Sequence, residues 1–237
     1  MVAMLKACLN GGVTRQQHAR VPVTPADLAE DARRCREAGA AAVHVHPRDA
    51  DGRESLAPAD VAAAVEAIRE ACPGLPVGVT TGAWILPDAA ARVKAIAAWR
   101  VLPDYASVNV HEEDALEVAR AVHDRGIGVE AGVWSPAALV EYLHWPVPCV
   151  RVLIECMAPD PALALADAAR MLALLPSGSP PVLLHAEGPA VWPVLRQAVA
   201  RGLDTRIGLE DTLSMPDGSP AGDNPALVAA AVAAGAR

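Results

Sequence analysis

The chain has 237 residues, 53% of them hydrophobic and 20% charged, enough to build a large core in one large domain or two small ones. A net charge of −8 without any basic run argues against a nucleic-acid surface, and no apolar run reaches the roughly 18 residues that a membrane span needs. The five cysteines are odd in number and form no CxxC pair, which points to a reducing cytoplasm rather than a disulfide framework; the opening MVAMLKACLN is too short and mixed for a signal peptide.

A unit recurs along the chain: a short apolar run, a polar turn, then an Ala-rich amphipathic stretch. LKACLN (5–10) predicts the first strand, and TPADLAEDARRCREAG (24–39) the clearest helix, with Thr24 as N-cap, Pro25 at the first helical position and Gly39 as the stop. AAVHVH (41–46) follows as a strand and APADVAAAVEAIREACPG (57–74) as a helix, then PVGVTTG (76–82) and PDAAARVKAIAAW (87–99). Further strands are predicted at YASVNV (105–110), GIGVEAGV (126–133), CVRVLIE (149–155), PVLLHAE (181–187) and TRIGLED (205–211), with DNPALVAAAVAAG (223–235) as the last helix. Eight strands alternating with eight helical segments match a (β/α)8 TIM barrel, which takes roughly 250 residues. A doubly wound open sheet fits less well, because the units are evenly spaced and no GxGxxG follows the first strand. No linker interrupts the pattern, so residues 1–237 read as a single domain.

In a barrel of this kind catalytic groups sit at the C-terminal strand ends, and residues two apart on a strand share a face. Lys6, Cys8 and Asn10 share one face of the first strand, and His44 and His46 one face of the second. Thr80, Asn109 with His111, Glu130, Glu155, His185 with Glu187, and Arg206 with Glu210 fall on the strands that follow. Burying so many polar groups without partners is costly, so they should converge on a site or on each other. Two imidazoles at i and i+2 can aim at one divalent ion, with a third ligand and an open position completing a catalytic site. Glu210 is the candidate third ligand, with His185 and Glu187 as rivals; two hydrogen-bonded histidines in a polar mouth are the plain alternative. On a regular strand Glu210 and Asp211 would face opposite ways, so Glu210 could bind metal while Asp211 acts as a base oriented by Arg206; a structural Arg206–Asp211 pair is compatible with that role. A Thr80 hydroxyl could hold a substrate carboxylate or cap a loop, Asn10 could face the site or make a turn with Gly11 and Gly12, and Glu130 could act directly or partner an interior cation. Trp84, Trp134 and Trp192 could wall a pocket or pack in the core. His18, His123 and His144 read as surface residues.

These residues resemble the β-keto acid cleavage enzymes. The resemblance runs in order through LNGG and Thr14 (9–14), PVTPADLAEDA (22–32), AGAAAVHVHPRDADG (38–52), TTG (80–82), ASVNV (106–110), GVEAGVW (128–134), RIGLED (206–211) and DNPALV (223–228), essentially the whole chain. It implies a TIM barrel with zinc on His44, His46 and Glu210. It also implies a reaction in which a β-keto acid and acetyl-CoA give acetoacetate and a new acyl-CoA, through enolate attack on the thioester and a retro-Claisen cleavage. Asp211 would take the C2 proton, Arg206 would position Asp211, and Thr80, Asn109, Glu130 and Asn10 would line the substrate. A dimer or tetramer is the implied assembly, and exposed apolar helix faces suit a homo-oligomer. Many members carry an acidic residue at the tip of the first strand where this chain has GGVT, and Gly or Cys where it has Val110-His111; these departures bear on substrate identity. Two other readings use the same residues: a metal-dependent hydrolase, which would draw further ligands such as His185, and a barrel that binds a small carboxylate without catalysis.

Overall fold

The computed structural model describes residues 3–237. Its strands are β1 (Leu5–Cys8), β2 (Ala42–Val45), β3 (Val77–Thr80), β4 (Tyr105–Asn109), β5 (Gly128–Val133), β6 (Arg151–Cys156), β7 (Val182–Ala186) and β8 (Thr205–Ile207). Each is followed by a helix: α1 (Pro25–Ala38), α2 (Pro58–Ala71), α3 (Ala89–Ala98), α4 (Ala115–Asp124), α5 (Pro136–Tyr142), α6 (Pro161–Leu174), α7 (Val191–Arg201) and α8 (Asn224–Ala233). The helices start where the local chemistry demands it. Thr24 accepts from the Asp27 N–H and Asp27 accepts in return from the Thr24 N–H, a full capping box with Pro25 behind it. Gly39 then ends α1 in the left-handed conformation at φ 117°. No helix among the described residues is long and apolar enough to cross a membrane.

All strand pairings are parallel, in the order β7-β6-β5-β4-β3-β2-β1-β8. The ring is joined between β7 and β8 by a single bridge from Leu183 to Asp204, supported by Leu184 N–H to Asp204 O at 2.9 Å and by the Thr205 hydroxyl on Leu184 O at 2.9 Å. The architecture is the (β/α)8 barrel, not an open doubly wound sheet.

Strand parity divides the residues into two sets. Leu5, Ala7, Val43, Val45, Val77, Val79, Ala106, Val108 and Val129 face outward into the helix layer and are fully buried there. The alternate residues fill the barrel. At its floor Lys6 Nζ donates to both oxygens of Glu130, at 2.7 and 2.6 Å, and Arg151 donates to the same carboxylate at 2.6 Å. The Tyr105 ring lies beside them, its hydroxyl on Val43 O. Gly78 makes this possible: a Cβ there would lie 1.8 Å from Tyr105 Cε2.

One strand is shorter than its sequence predicts. β8 ends at Ile207, and Gly208 to Asp211 form a turn closed by the Asp211 and Thr212 N–H groups on Gly208 O, at 2.9 and 3.0 Å. Gly208 passes so close to β1 that a Cβ would sit 1.8 Å from Cys8 O, so the chain bends away instead of continuing. Asn224 fixes the turn. Its Oδ1 accepts from Leu209 N at 2.7 Å, and its Nδ2 donates to Leu9 O at 2.7 Å and to Asp31 at 2.6 Å. Asn224 thereby ties β8, β1 and α1 together.

Burial pushes the Asp31 carboxyl up to about 6 from 3.8, against the Asn224 hydrogen bond and Arg34 and with help from Asp223. The folded protein then keeps a proton that the unfolded chain releases, so stability falls as pH rises from about 4 to 6 and the loss is complete above that. Asp31→Asn keeps an acceptor for Asn224 and removes the titration. Urea unfolding should show its stability relative to wild type rising by roughly 1–2 kcal/mol between pH 4 and pH 7; a pH-independent difference would assign the raised proton affinity elsewhere.

Candidate functional site

At the C-terminal ends of the strands a cavity of about 380 Å³ opens, lined among others by His44, His46, Thr80, Asn109, Arg206 and Glu210. That volume suits a small metabolite. His44, inside β2, His46, one residue past its end, and Glu210, on the turn after β8, each present one donor atom, and the three atoms lie within 4.8 Å of one another. His46 Nε2 is 3.7 Å from Glu210 Oε1. His185 and Glu187, the rival third ligands, do not belong to this group of donors.

Backbone geometry aims these side chains. Asn10, just past β1, clamps the His46 peptide: its Oδ1 accepts from His46 N and its Nδ2 donates to His46 O, both at 2.9 Å. Gly11 has φ +48°, and a Cβ there would lie 2.4 Å from Glu210 Cγ, so its missing side chain is the space in which the Glu210 carboxylate lies. After His46 the chain makes a small hairpin. Asp49 N and Ser55 N donate to Arg53 O and Pro47 O at 2.8 Å, and the Asp49 carboxylate accepts from Asp51 N and Arg53 N. The hairpin returns Glu54 to His46, whose Nδ1 donates to Glu54 Oε1 at 2.5 Å; Trp84 Nε1 donates to the same oxygen at 3.1 Å.

The electrostatics suit a cation. Burial drives His44 well below its usual imidazole range, with His46, Lys6 and Arg206 adding to the effect, so its ring is neutral and could serve as a metal ligand. Burial would raise Glu54, but the His46 hydrogen bond and charge, Trp84 and Arg48 outweigh it and hold the carboxylate below its ordinary range. His44 Nδ1 and Glu210 Oε2 are buried without a partner, as groups waiting on a ligand are. Two imidazoles, one carboxylate and an acidic partner on the far nitrogen of His46 fit a divalent ion of the zinc type.

The other expected residues divide. Thr80 and Asn109 line the cavity; Thr80 Oγ1 accepts from Gly82 N at 3.1 Å, and Asn109 donates to Glu112 at 2.9 Å. Gly132 leaves room for Asn109, since a Cβ there would be 2.5 Å from its Oδ1. Arg206 lines the cavity and donates from Nη2 to Asp211 Oδ1 at 2.7 Å, with Glu210 Oε1 at 3.1 Å. Asp211 itself does not face the mouth as a continuing strand would have placed it. The turn sets its side chain behind the wall, fully buried, with Oδ2 unpartnered. Burial pushes it up to about 8, Arg206 opposing and Glu210 and Glu187 reinforcing. Two expectations need correction. Glu130 is at the barrel floor, neutralised by Lys6 and Arg151 and absent from the cavity wall, because it lies midway along β5. Asn10 spends its amide on Pro22 and the His46 backbone, which it holds in place, and does not line the cavity.

Glu54 lies outside the strand-end pattern and reaches the histidines only through the folded chain. Its signal is the DADG turn of residues 49–52, with Gly52 at φ +78°, which folds the chain back on the histidines. Ser107 also lines the cavity, one strand residue below Asn109 in facing parity.

The family model described as beta-keto acid cleavage enzyme matches residues 3–237. A 3-keto-5-aminohexanoate cleavage enzyme from Acetoanaerobium sticklandii is 23% identical over 235 residues, covering 91% of this chain and 85% of the relative. An enzyme of the same name from Fusobacterium nucleatum subsp. nucleatum is 34% identical over 70 residues, 30% of this chain and 26% of that one. The apo structure of ObcA is similar in fold, with a TM-score of 0.69 at 20% identity over 92% of this chain; this chain spans 63% of the ObcA chain.

Glu54→Gln tests the support of His46. The amide keeps the shape but holds the imidazole without a charge. Zinc affinity, measured by competition with a chelator, should fall about 10- to 100-fold with the fold intact; unchanged affinity would reduce Glu54 to a partner of Trp84.

Proposed function

The chain belongs to the beta-keto acid cleavage enzyme family, and we propose on that premise that it condenses a β-keto acid with acetyl-CoA to give acetoacetate and a new acyl-CoA. The observation that carries this is the convergence of His44, His46 and Glu210 within 4.8 Å beside an Arg206–Asp211 pair held at 2.7 Å. A zinc ion on those three side chains would act as a Lewis acid toward the keto acid's oxygens and, by its charge, favour the ionised form of Asp211. Thr80 and Asn109, at the cavity wall, orient the substrate carboxylate. Asp211, behind the wall, is the base that removes a C2 proton by way of one bridging water on its unpartnered Oδ2, while the Arg206 bond to Oδ1 fixes its direction. The C2 carbanion attacks the acetyl carbonyl of the thioester and expels CoA thiolate. The thiolate adds to the original keto carbon, the C2–C3 bond breaks, and the proton held by Asp211 returns to C2 of acetoacetate.

The reaction is tested directly by incubating the zinc-loaded protein with acetyl-CoA and a panel of β-keto acids and assaying acetoacetate and new thioesters; free carboxylic acids without thioester exchange would mean hydrolysis instead. As isolated, the protein should carry about one divalent ion per chain, most readily zinc. His46→Ala should lose most of it, and a His44→Ala, His46→Ala double variant with a full complement would overturn the metal assignment.

Asp211→Asn separates catalysis from binding. It should keep metal and fold while turnover falls by a factor on the order of 10² to 10⁴. Arg206→Lys should have a milder effect, since a point charge orients a carboxylate less well than a planar fork. Metal loss in Asp211→Asn with retention in Glu210→Gln would reverse the two roles.

A further inference from the structure

The turn after β4 holds a carboxylate that the proposed chemistry does not use. The Glu112 carboxylate is nearly buried and does not line the cavity, yet three segments meet on it. Its Oε1 accepts from Asn109 Nδ2 at 2.9 Å, at the end of β4, and from Ala83 N at 3.1 Å, in the loop after β3. Its Oε2 is paired with Arg92 of α3, whose side chain has no exposure. Arg92 is fixed in turn by Thr81 O at 3.4 Å and Glu113 O at 3.1 Å. The turn that carries Glu112 is strained: Asp114 has φ 52°, the one positive φ outside glycine among the described residues. An ion pair buried for stability alone gains little over apolar packing, so this one calls for a use.

Polarity supplies the use. A carboxylate only accepts, so Glu112 admits the Nδ2 end of the Asn109 amide and repels the Oδ1 end. Oδ1 is accordingly laid over Gly132, where a Cβ would be 2.5 Å away. Nδ2 carries two hydrogens, and Glu112 takes one of them. The other is the only donor that Asn109 has left for a molecule in the cavity it lines. Thr80, on the same wall, is prepared in a similar way: its Oγ1 already accepts from Gly82 N, which leaves the hydroxyl hydrogen to give. With the Asn109 amide turned over, a carbonyl oxygen would take the place of the donor, and an approaching carboxylate would meet acceptor with acceptor.

We propose that Glu112, anchored by Arg92, is a positioning residue: it sets the Asn109 amide so that the cavity wall at β4 offers a donor to the substrate carboxylate. Glu112 touches no substrate and acts only through Asn109. The proposal rests on the function proposed above for the substrate it names, and it makes the Arg92–Glu112 pair the device that tells a carboxylate from a neutral group of the same shape.

Calorimetry on the zinc-loaded protein compares acetoacetate with acetoacetamide, in which a neutral amide replaces the carboxylate. Glu112→Gln keeps the shape. Arg92 claims the new amide oxygen, because a charged donor makes the stronger bond, so the new Nε2 faces Asn109 and turns its amide over. Acetoacetate should then bind about tenfold more weakly, with acetoacetamide within about twofold of wild type and zinc content unchanged. Asn109→Ala should cost acetoacetate as much, and adding Glu112→Gln to it should cost no more. Undiminished acetoacetate affinity in Glu112→Gln overturns the proposal, and so does a further tenfold loss in the double variant, which would leave Glu112 a brace for the loops. Thermal unfolding at pH 8 gives a second test without ligand. Asn109→Asp sets a carboxylate against Glu112 and should lower Tm by about 3 °C or more; combining it with Glu112→Gln should restore most of that loss, and a further fall would overturn the proposal. Thioester exchange that proceeds without this coupling sinks the inference and leaves the reaction standing. Coupling intact with no exchange on any β-keto acid sinks the reaction instead.

Discussion

A lysine and a glutamate meet across the barrel's interior, and the site stands on that pair. Lys6 on β1 and Glu130 on β5 come from opposite sides of an eight-strand ring, and both are fully buried. Isolated charges in such a place would cost several kcal/mol each. Here each oxygen of Glu130 accepts from Lys6, Arg151 adds a third donor, and Asp204 balances Arg151 at 2.9 Å. The network fills the lower half of the barrel with paired charge, so the cavity begins above it. It also explains why a glutamate on a central strand takes no place in the mouth: its charge is committed to the floor.

Above that floor, position is set by backbone more than by side-chain packing. Asn10 grips the His46 peptide, Gly11 yields its volume to Glu210, and Gly132 yields to Asn109. The turn after β8 brings Glu210 and Asp211 to the rim at two depths, one on the cavity wall and one behind it. Such placement holds polar groups close together against their mutual repulsion. The buried, unpartnered atoms of His44, His185, Glu210 and Asp211 lie in one region, which is the pattern expected where stability has been given up for binding and chemistry.

Much of this was legible in the sequence. Parity along AAVHVH put both imidazoles on one face, and the repeated strand–helix grammar led to the barrel, because both depend on local periodicity. The residues misread share a different origin. Glu130 looked like a mouth residue because depth along a strand depends on the stagger of neighbouring strands, which no single segment encodes. Asn10 looked like a substrate contact because its partners, Pro22 and His46, are distant in sequence. Glu210 and Asp211 were expected on a strand, and only the close pass of Gly208 over Cys8 turns them. Glu54 lies on a hairpin whose turn residues were visible but whose return to the histidines was not.

The ring has one slender joint. Seven of its strand neighbours share continuous ladders, whereas β7 and β8 meet through one bridge at Leu183 and Asp204 with a hydroxyl laid across it. A closed girdle under internal load yields at its weakest link, so stress from an oversized guest would gather there. His185 and Arg206 flank that joint, one on each strand. A displacement at that joint would therefore move the buried His185 imidazole and the Arg206 guanidinium paired with Asp211 together.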